Sequence, residues 1–350
     1  MHLSERTRPA DKIGSRKLGA CVLFTCFIVL SACVLAKGAD EGPLVDASRD
    51  IDIVSPLGVE TSLCGIRPAL SRAAAEQVRV VFGDVCRFKS SSAAISVWIA
   101  DSIPVDDSLA DAISRGADFH HVALPLAPKI AQWFRDKGVP APPPISSLVI
   151  ASVSAVNYEA GWLIPFVHTH RMQFYGRSRT VTRDFLLGTN GGWVDRSSGC
   201  ERVVIPLSDR GYVALALARN DPKSALACVA RVVSGVGRSS VQVSLPKLTL
   251  VTTSCLAVRL RQMGLRSLFD GRSNPFPTLM PGVGVSDVLQ AIAFRLDEAG
   301  VSVKAGTNTV IALGMGHPTE RVSFDHPFAL AVFDPTGSPV LIGSIENLGE

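Results

Sequence analysis

The chain has 350 residues, of which 47% are apolar and 19% are charged. This length suffices for one large domain or two ordinary ones, and the low charge argues against extensive disorder. The formal net charge is +4, and residues 1–17 supply +3 of it, so the remaining chain is almost neutral. Because aromatic residues make up only 6% and no cluster of Lys and Arg alternates with them, nucleic acid is excluded as an expected partner.

Residues 18–36 form an uncharged apolar run between a basic segment and Lys37, which predicts an export segment. Three interpretations remain open. The run resembles a bacterial lipoprotein signal, with processing before Cys33 and lipid on its sulfur. It also fits cleavage after Ala36, or an uncleaved anchor long enough to span a bilayer. All three place the body of the chain outside the cytoplasm, as a secreted or membrane-attached protein, because the basic flank stays inside.

A polar spacer is predicted at residues 37–50, and the elements after it alternate as in an α+β fold, without the regular rhythm of a doubly wound sheet. Helices are predicted at 69–82, 107–114, 130–137 and 255–263. Strands are predicted at 95–103, 148–157, 202–206, 212–218, 241–250, 328–333 and 340–345. The strand at 241–250 is predicted as a single strand with a break at Pro246, and the last two strands are joined by a turn at 334–337.

The body of the chain has an odd number of cysteines at wide, irregular spacing, which does not resemble a disulfide framework. They are Cys64, Cys86, Cys200, Cys228 and Cys255. We therefore predict that they are small buried hydrophobic residues. His168 and His170 share a strand face, but no third ligand is evident, so neither a metal site nor a cofactor is predicted.

Seven short segments resemble signatures of the serpin family, in the family's order. They are IVSPL at 53–57, AVNY at 155–158, VSLPK at 243–247, MGL at 263–265, IAFRLDEAG at 292–300, DHPF at 325–328 and VLIGSI at 340–345. The resemblance covers residues 51–350 and implies one serpin domain, with large mixed β-sheets, surrounding helices and an exposed C-terminal reactive-centre loop at about 298–324. Two departures are a largely missing first helix and Ser154 in place of the strand asparagine.

The resemblance also implies a function. An inhibitory serpin is cleaved in this loop by its target protease, and the freed part then inserts into the main sheet as an added strand. The residues corresponding to the loop hinge are Glu298, Gly300, Val301, Val303, Ala305 and Thr307. From Val301 to Thr307 the odd positions are apolar or small, and the even positions, Lys304 among them, would face outward.

Family spacing counted from Glu298 places the cleaved bond at Gly314–Met315, and a count from the DHPF segment moves it as far as Gly316. The candidate specificity residues are Leu313, Gly314, Met315 and Gly316. None of them is basic, so the expected partner is a chymotrypsin-, elastase- or subtilisin-like serine protease rather than a trypsin-like one.

Two other functions remain open. The bulky valines at 301 and 303 and the missing first helix suggest a non-inhibitory serpin-fold surface protein that binds a ligand or host partner. An enzyme is the less favoured alternative, because the sequence has no G-x-S-x-G, H-E-x-x-H or phosphate-binding loop motif.

Overall fold

The computed structural model describes residue 45 and residues 49–83, 92–141, 148–196, 200–218, 221–233, 240–286, 288–303 and 320–349. Several predicted features lie outside these residues: the export segment with Cys33, Cys86, the loop positions Ala305 and Thr307, and the candidate specificity residues Leu313–Gly316.

Seven α-helices occur in the described residues. They are α1 Pro56–Ile66, α2 Arg72–Phe82, α3 Asp107–Ser114, α4 Leu126–Asp136, α5 Pro222–Val229, α6 Ala257–Gln262 and α7 Arg266–Phe269. Short polar side chains start several of them: Ser55 caps α1, Ser71 caps α2 and Asp106 caps α3 by accepting hydrogen bonds from backbone N–H groups of the first turn. The described residues contain no helix that is long and apolar enough to cross a membrane.

The strands run through the whole described chain. They are β1 Ile51–Val54, β2 Ala93–Ala100, β3 Asp118–Val122, β4 Ile150–Val156, β5 Tyr158–Gly161, β6 His168–Tyr175, β7 Thr180–Gly188, β8 Trp193–Asp195, β9 Arg202–Pro206, β10 Tyr212–Leu217, β11 Val241–Pro246, β12 Leu248–Cys255, β13 Leu289–Leu296, β14 Gly300–Val303, β15 Glu320–Ser323, β16 Phe328–Phe333 and β17 Pro339–Ile345.

These strands form four sheets, and the predicted α+β class is confirmed. A six-stranded sheet has the order β1-β17-β16-β10-β9-β8, and two four-stranded sheets have the orders β15-β11-β7-β6 and β12-β13-β14-β5. A three-stranded sheet has the order β3-β2-β4. All six residues of β16 are buried, which explains their uninterrupted apolar sequence, because both faces of this central strand are covered.

The prediction of a single strand at 241–250 is wrong, because these residues belong to two strands in different sheets. β11 ends at Pro246, and β12 begins at Leu248 and pairs with β13 along its whole length. Pro246 has no N–H with which to continue the ladder, and the N–H of Lys247 instead donates to the Asp184 carbonyl. The β-branched run at 251–253 then extends β12 to Cys255, where a helix start was predicted.

The prediction of buried, unpaired cysteines is also wrong. Cys200 and Cys228 form a disulfide with a Cα–Cα distance of 5.7 Å, and Cys64 is disulfide-bonded as well. Cys255 is exposed and does not belong to a disulfide. The pairing was not predictable from spacing, because Cys228 meets Cys200 only when α5 packs against β10 and β16. Arg202 ties the same region together, since its guanidinium donates to the Cys228 carbonyl at 2.8 Å and to Asp195 at 2.8 Å.

The chain joins the fold before β1. Val45 is buried in the cluster that includes Val54 and Val59, and the Asp50 carbonyl accepts hydrogen bonds from the N–H groups of Glu346 and Asn347. The described part of the predicted spacer therefore lies against the domain.

We expect Cys228→Ser to lower the free energy of unfolding by about 3 kcal/mol, because the disulfide closes a loop with a sequence separation of 28. Urea unfolding under non-reducing conditions measures the difference. Cys255→Ser is the matched control, since that cysteine is exposed and does not belong to a disulfide. Equal effects of the two substitutions would show that the disulfide does not stabilise the fold.

Candidate functional site

Among the strand edges that lack neighbours in the described residues, two line the same cavity. β13 pairs with β12 through all eight residues, but with β14 only at Arg295 and Leu296. β4 pairs with β2 alone. The unpaired part of β13 and the free edge of β4 line the same cavity, which has a volume of about 1080 Å³ and which we call the slot. Val303, the last residue of β14, also lines the slot.

Helix α1 forms one wall of the slot and binds both strand edges. The side-chain amide of Gln290, on β13, accepts from the N–H of Ser55 at 2.8 Å and donates to the Ser55 carbonyl at 3.0 Å. The hydroxyl of Ser154, on β4, donates to the Gly58 carbonyl. Two strands that do not pair with each other are therefore fixed to one helix.

Helix α4 forms another wall of the slot, through Ile130, Ala131 and Phe134. Ile130 and Phe134 also pack against Ala155 and Trp98 of the three-stranded sheet. Helices α1 and α4 therefore both line the slot.

Three of the predicted hinge residues, Gly300, Val301 and Val303, lie in strand β14 at one end of the slot. Val301 pairs with Ala160 of β5 and with Leu296 of β13, so β14 separates these two strands. Val301 is 1% exposed and Val303 is 4% exposed, and both pack in the core. The first residues of the predicted loop are therefore already part of the sheet.

Gly300 starts β14 in a conformation that only glycine adopts without strain. Its φ is +155°, and a Cβ atom at this position would lie 2.2 Å from the Ala160 carbonyl oxygen. The backbones of β14 and β5 approach each other here too closely for any side chain.

A polar cluster holds the turn before Gly300. The Glu298 carboxylate forms an ion pair with Lys247 and accepts a hydrogen bond from the Thr169 hydroxyl at 3.0 Å. The hydrogen bond from Lys247 lowers the pKa of Glu298 below its usual value, although partial burial opposes this shift. The indole N–H of Trp162 donates to the Asp297 carbonyl at 2.7 Å, and this tryptophan is fully buried.

The far end of the predicted loop is anchored by a second ionic cluster. Glu320 begins β15, which runs parallel to β11, and its carboxylate pairs with Arg196. Arg196 also pairs with Glu201 at 3.2 Å. Hydrogen bonds from the side chain of Arg196 to both carboxylates raise the pKa of its guanidinium above its usual value.

Sequence reasoning did not select most of these contact residues. Lys247 belongs to the VSLPK segment, but no role was predicted for it, and nothing in the sequence pointed to Gln290, Thr169 or Arg196. In the described part of the chain, no three His, Cys, Asp or Glu side chains are grouped so that they could hold a metal. His326 lies 2.8 Å from Asp325 and stacks on Tyr175.

We expect Gly300→Ala to destabilise the protein by about 2–3 kcal/mol, because the new Cβ would force β14 away from β5. Urea unfolding measures the loss, and amide hydrogen exchange at Val301 and Val303 should become faster. Gly116→Ala is the control, since a Cβ there would meet its nearest atom only at 4.0 Å. Unchanged exchange in Gly300→Ala would contradict the assigned packing.

We expect Lys247→Met to lower stability at pH 7 by at most about 1 kcal/mol, because both partners of the Lys247–Glu298 pair are partly exposed. The pKa of Glu298 is lowered in the folded state, so its stabilising effect is present above the unfolded pKa and is lost as the pH falls through the folded pKa. The difference between wild type and Lys247→Met should therefore shrink as the pH falls below the ordinary pKa of a glutamate, as measured by thermal unfolding at pH 7 and pH 3.

The control for this pH dependence is Lys129→Met, because Lys129 donates to the Ala123 carbonyl rather than to a carboxylate. Its effect should be the same at pH 7 and pH 3. A constant difference between wild type and Lys247→Met over this range would exclude the ionic role of Glu298.

Comparisons with known proteins agree with this geometry. The family model described as "Serpin (serine protease inhibitor)" matches residues 137–348, which is more than half of the chain. Human glia-derived nexin is 30% identical over 111 residues, a match that spans 31% of this chain and 27% of the nexin. This stretch is therefore well under two thirds of that relative's length.

Two solved structures show the same fold. The thermophilic serpin tengpin, in its native state, superposes with a TM-score of 0.73 at 16% identity, covering 87% of this chain and 90% of tengpin. Serpin48 of the insect Tenebrio molitor superposes with a TM-score of 0.68 at 16% identity, covering 86% and 93% of the two chains. The fold and the family match together show that this chain belongs to the serpin family.

Proposed function

We propose that this protein inhibits a serine protease by suicide cleavage of its reactive-centre loop, followed by insertion of the cleaved loop into the slot. The observation that carries the proposal is the slot itself, which lies between the unpaired edges of β4 and β13 and continues the line of β14. Serpins are in general inhibitors rather than enzymes, and in this mechanism the nucleophile belongs to the protease.

The register of β14 predicts which loop residues would pair with the strands on either side of the slot. Val303 pairs with Tyr158, and Ser302 pairs with Arg295. If the same antiparallel pairing continues, Lys304 lies opposite Asn157 and Ala293, and Ala305 lies opposite Val156 and Ile292. Leu313 would then reach Leu148, the first described residue before β4, so the slot accommodates about ten residues. That segment ends at the first candidate specificity residue.

The same register divides the loop residues between two environments. Val156 packs in the core, whereas Asn157 is exposed. Residues paired directly across two strands share a face, so Ala305 would face the core and Lys304 would face solvent. This assignment agrees with the alternation predicted from the sequence.

Chain length supports the requirement for cleavage. An inserted strand of about ten residues spans roughly 33 Å, whereas the six residues 314–319 span at most about 25 Å between their flanking residues. Glu320 pairs with Val241 at the start of β11. Lys247, which follows the end of β11, forms an ion pair with Glu298 just before β14. The intact loop could not insert fully while β15 stays paired, but a cleaved loop could.

The structure also bears on the non-inhibitory alternative, which rests partly on the bulk of Val301 and Val303. Both valines already occupy the sheet, so the insertion that follows cleavage would begin at Lys304. The segment 304–309 contains no large side chain other than Lys304. This favours inhibition over slow, substrate-like cleavage.

For specificity, we propose cleavage within Leu313–Gly316, with Gly314–Met315 as the first candidate bond. The nonbasic residues there favour a chymotrypsin-, elastase- or subtilisin-like target.

For location, we propose export through residues 1–36, with a serpin domain at 51–350 and membrane attachment through lipid on Cys33. The Cys200–Cys228 disulfide supports an oxidising, extracytoplasmic compartment.

The decisive experiment compares two substitutions at neighbouring loop positions. Wild type mixed with chymotrypsin or elastase should give a complex that resists SDS. We expect Ala305→Glu to be cleaved at the same bond but to form no complex, because insertion would bury an unpaired carboxylate at a cost of several kcal/mol. Lys304→Glu is the matched control and should still form the complex, because the same side chain would face solvent.

Mass spectrometry of the products locates the cleaved bond, and thermal unfolding of the cleaved protein tests insertion, which should raise the melting temperature. Complete cleavage of wild type with undiminished protease activity and no rise in melting temperature would contradict the proposal and favour a non-inhibitory serpin.

A further inference from the structure

Two histidines and a methionine lie on one face of β6, and the burial of this face increases along the strand. His168, His170, Met172 and Phe174 alternate along the strand with residues of the opposite face. His168 is exposed, His170 and Met172 are half-buried, and Phe174 is fully buried. β6 is the edge strand of its sheet, so this face is open to solvent at its His168 end.

The imidazole of His170 is poorly satisfied by the surrounding protein. Its Nε2 atom lies 2.6 Å from the Met172 sulfur, and its buried Nδ1 atom has no hydrogen-bond partner among the described residues. A thioether is only a weak acceptor, and buried polar atoms normally have a partner. The Met172 sulfur therefore does not compensate for the hydrogen bonds to water that the imidazole loses on burial.

The chemistry of these side chains selects a particular class of ion. Imidazole and thioether groups are neutral, soft or borderline ligands that suit Cu(I), whereas Mg²⁺ and Ca²⁺ require oxygen ligands. The β7 residues paired with His168, His170 and Met172 are Leu187, Phe185 and Arg183. None of these three supplies a carboxylate, and the positive charge of Arg183 disfavours a divalent cation more than a monovalent one.

We propose that His170 and Met172, with His168 from the solvent side, form a binding site for a monovalent soft metal ion of the Cu(I) class. Met172 can reorient to admit the ion, because its side chain is unbranched and flexible. The site lies next to the hinge cluster, since Thr169, between the two histidines, donates to Glu298 from the opposite face. The site does not depend on protease inhibition.

The test uses Ag⁺ as the probe, because it needs no reductant that would attack the Cys200–Cys228 disulfide. Free thiols of the full chain are first alkylated, since exposed Cys255 would itself bind a soft metal. Isothermal titration should show one Ag⁺ per chain. Met172→Leu and His170→Gln should each lower the affinity at least about tenfold, because each removes a ligand.

The controls are Met280→Leu and His326→Ala, which change the same residue types away from β6 and should leave Ag⁺ binding unchanged. Met172→Leu nearly conserves side-chain volume, so the fold should persist, and circular dichroism can verify this. The proposal is overturned if wild type binds no stoichiometric Ag⁺, or if Met172→Leu binds Ag⁺ as tightly as wild type does.

Discussion

The structure depends on one constraint, namely that backbone N–H and C=O groups along a strand edge need hydrogen-bond partners. β4 and β13 each present such an edge to the slot, and no described strand pairs with it. Helix α1 keeps the two edges in place through Ser154 and Gln290 without closing the gap. An added strand could form backbone hydrogen bonds with both edges at once. This pairing is what the proposed inhibitory mechanism requires.

Ion pairs hold the residues at the two ends of the predicted loop, but they do not supply free energy for strand insertion. Glu298 and Lys247 hold the turn before β14, and Glu320 and Arg196 hold the start of β15. All four side chains are partly exposed, so each pair contributes little to stability. Their effect is geometric, because they fix the positions of the residues just before β14 and at the start of β15.

Several features could be predicted from local sequence because they depend on near neighbours. Helix α3 and strand β9 were predicted with their observed bounds. The strand predicted at 328–333 is β16, also with its observed bounds. The start of β12 was predicted only as the end of the 241–250 strand, because its pairing with β13, which assigns it to another sheet and extends it to Cys255, is a long-range contact. The Cys200–Cys228 disulfide was missed because the two residues meet only through the packing of α5.

The sequence by itself determined the family resemblance and the α+β class, because motif order and strand patterns can be recognised without coordinates. Only the tertiary structure decided that Gly300–Val303 lie inside the sheet and that Val303 lines the slot. It also decided that Lys247 and Thr169 hold Glu298 and that Arg196 holds Glu320. The reason is physical: these features are contacts between segments far apart in the chain, and no local pattern records which distant side chain fills a given position.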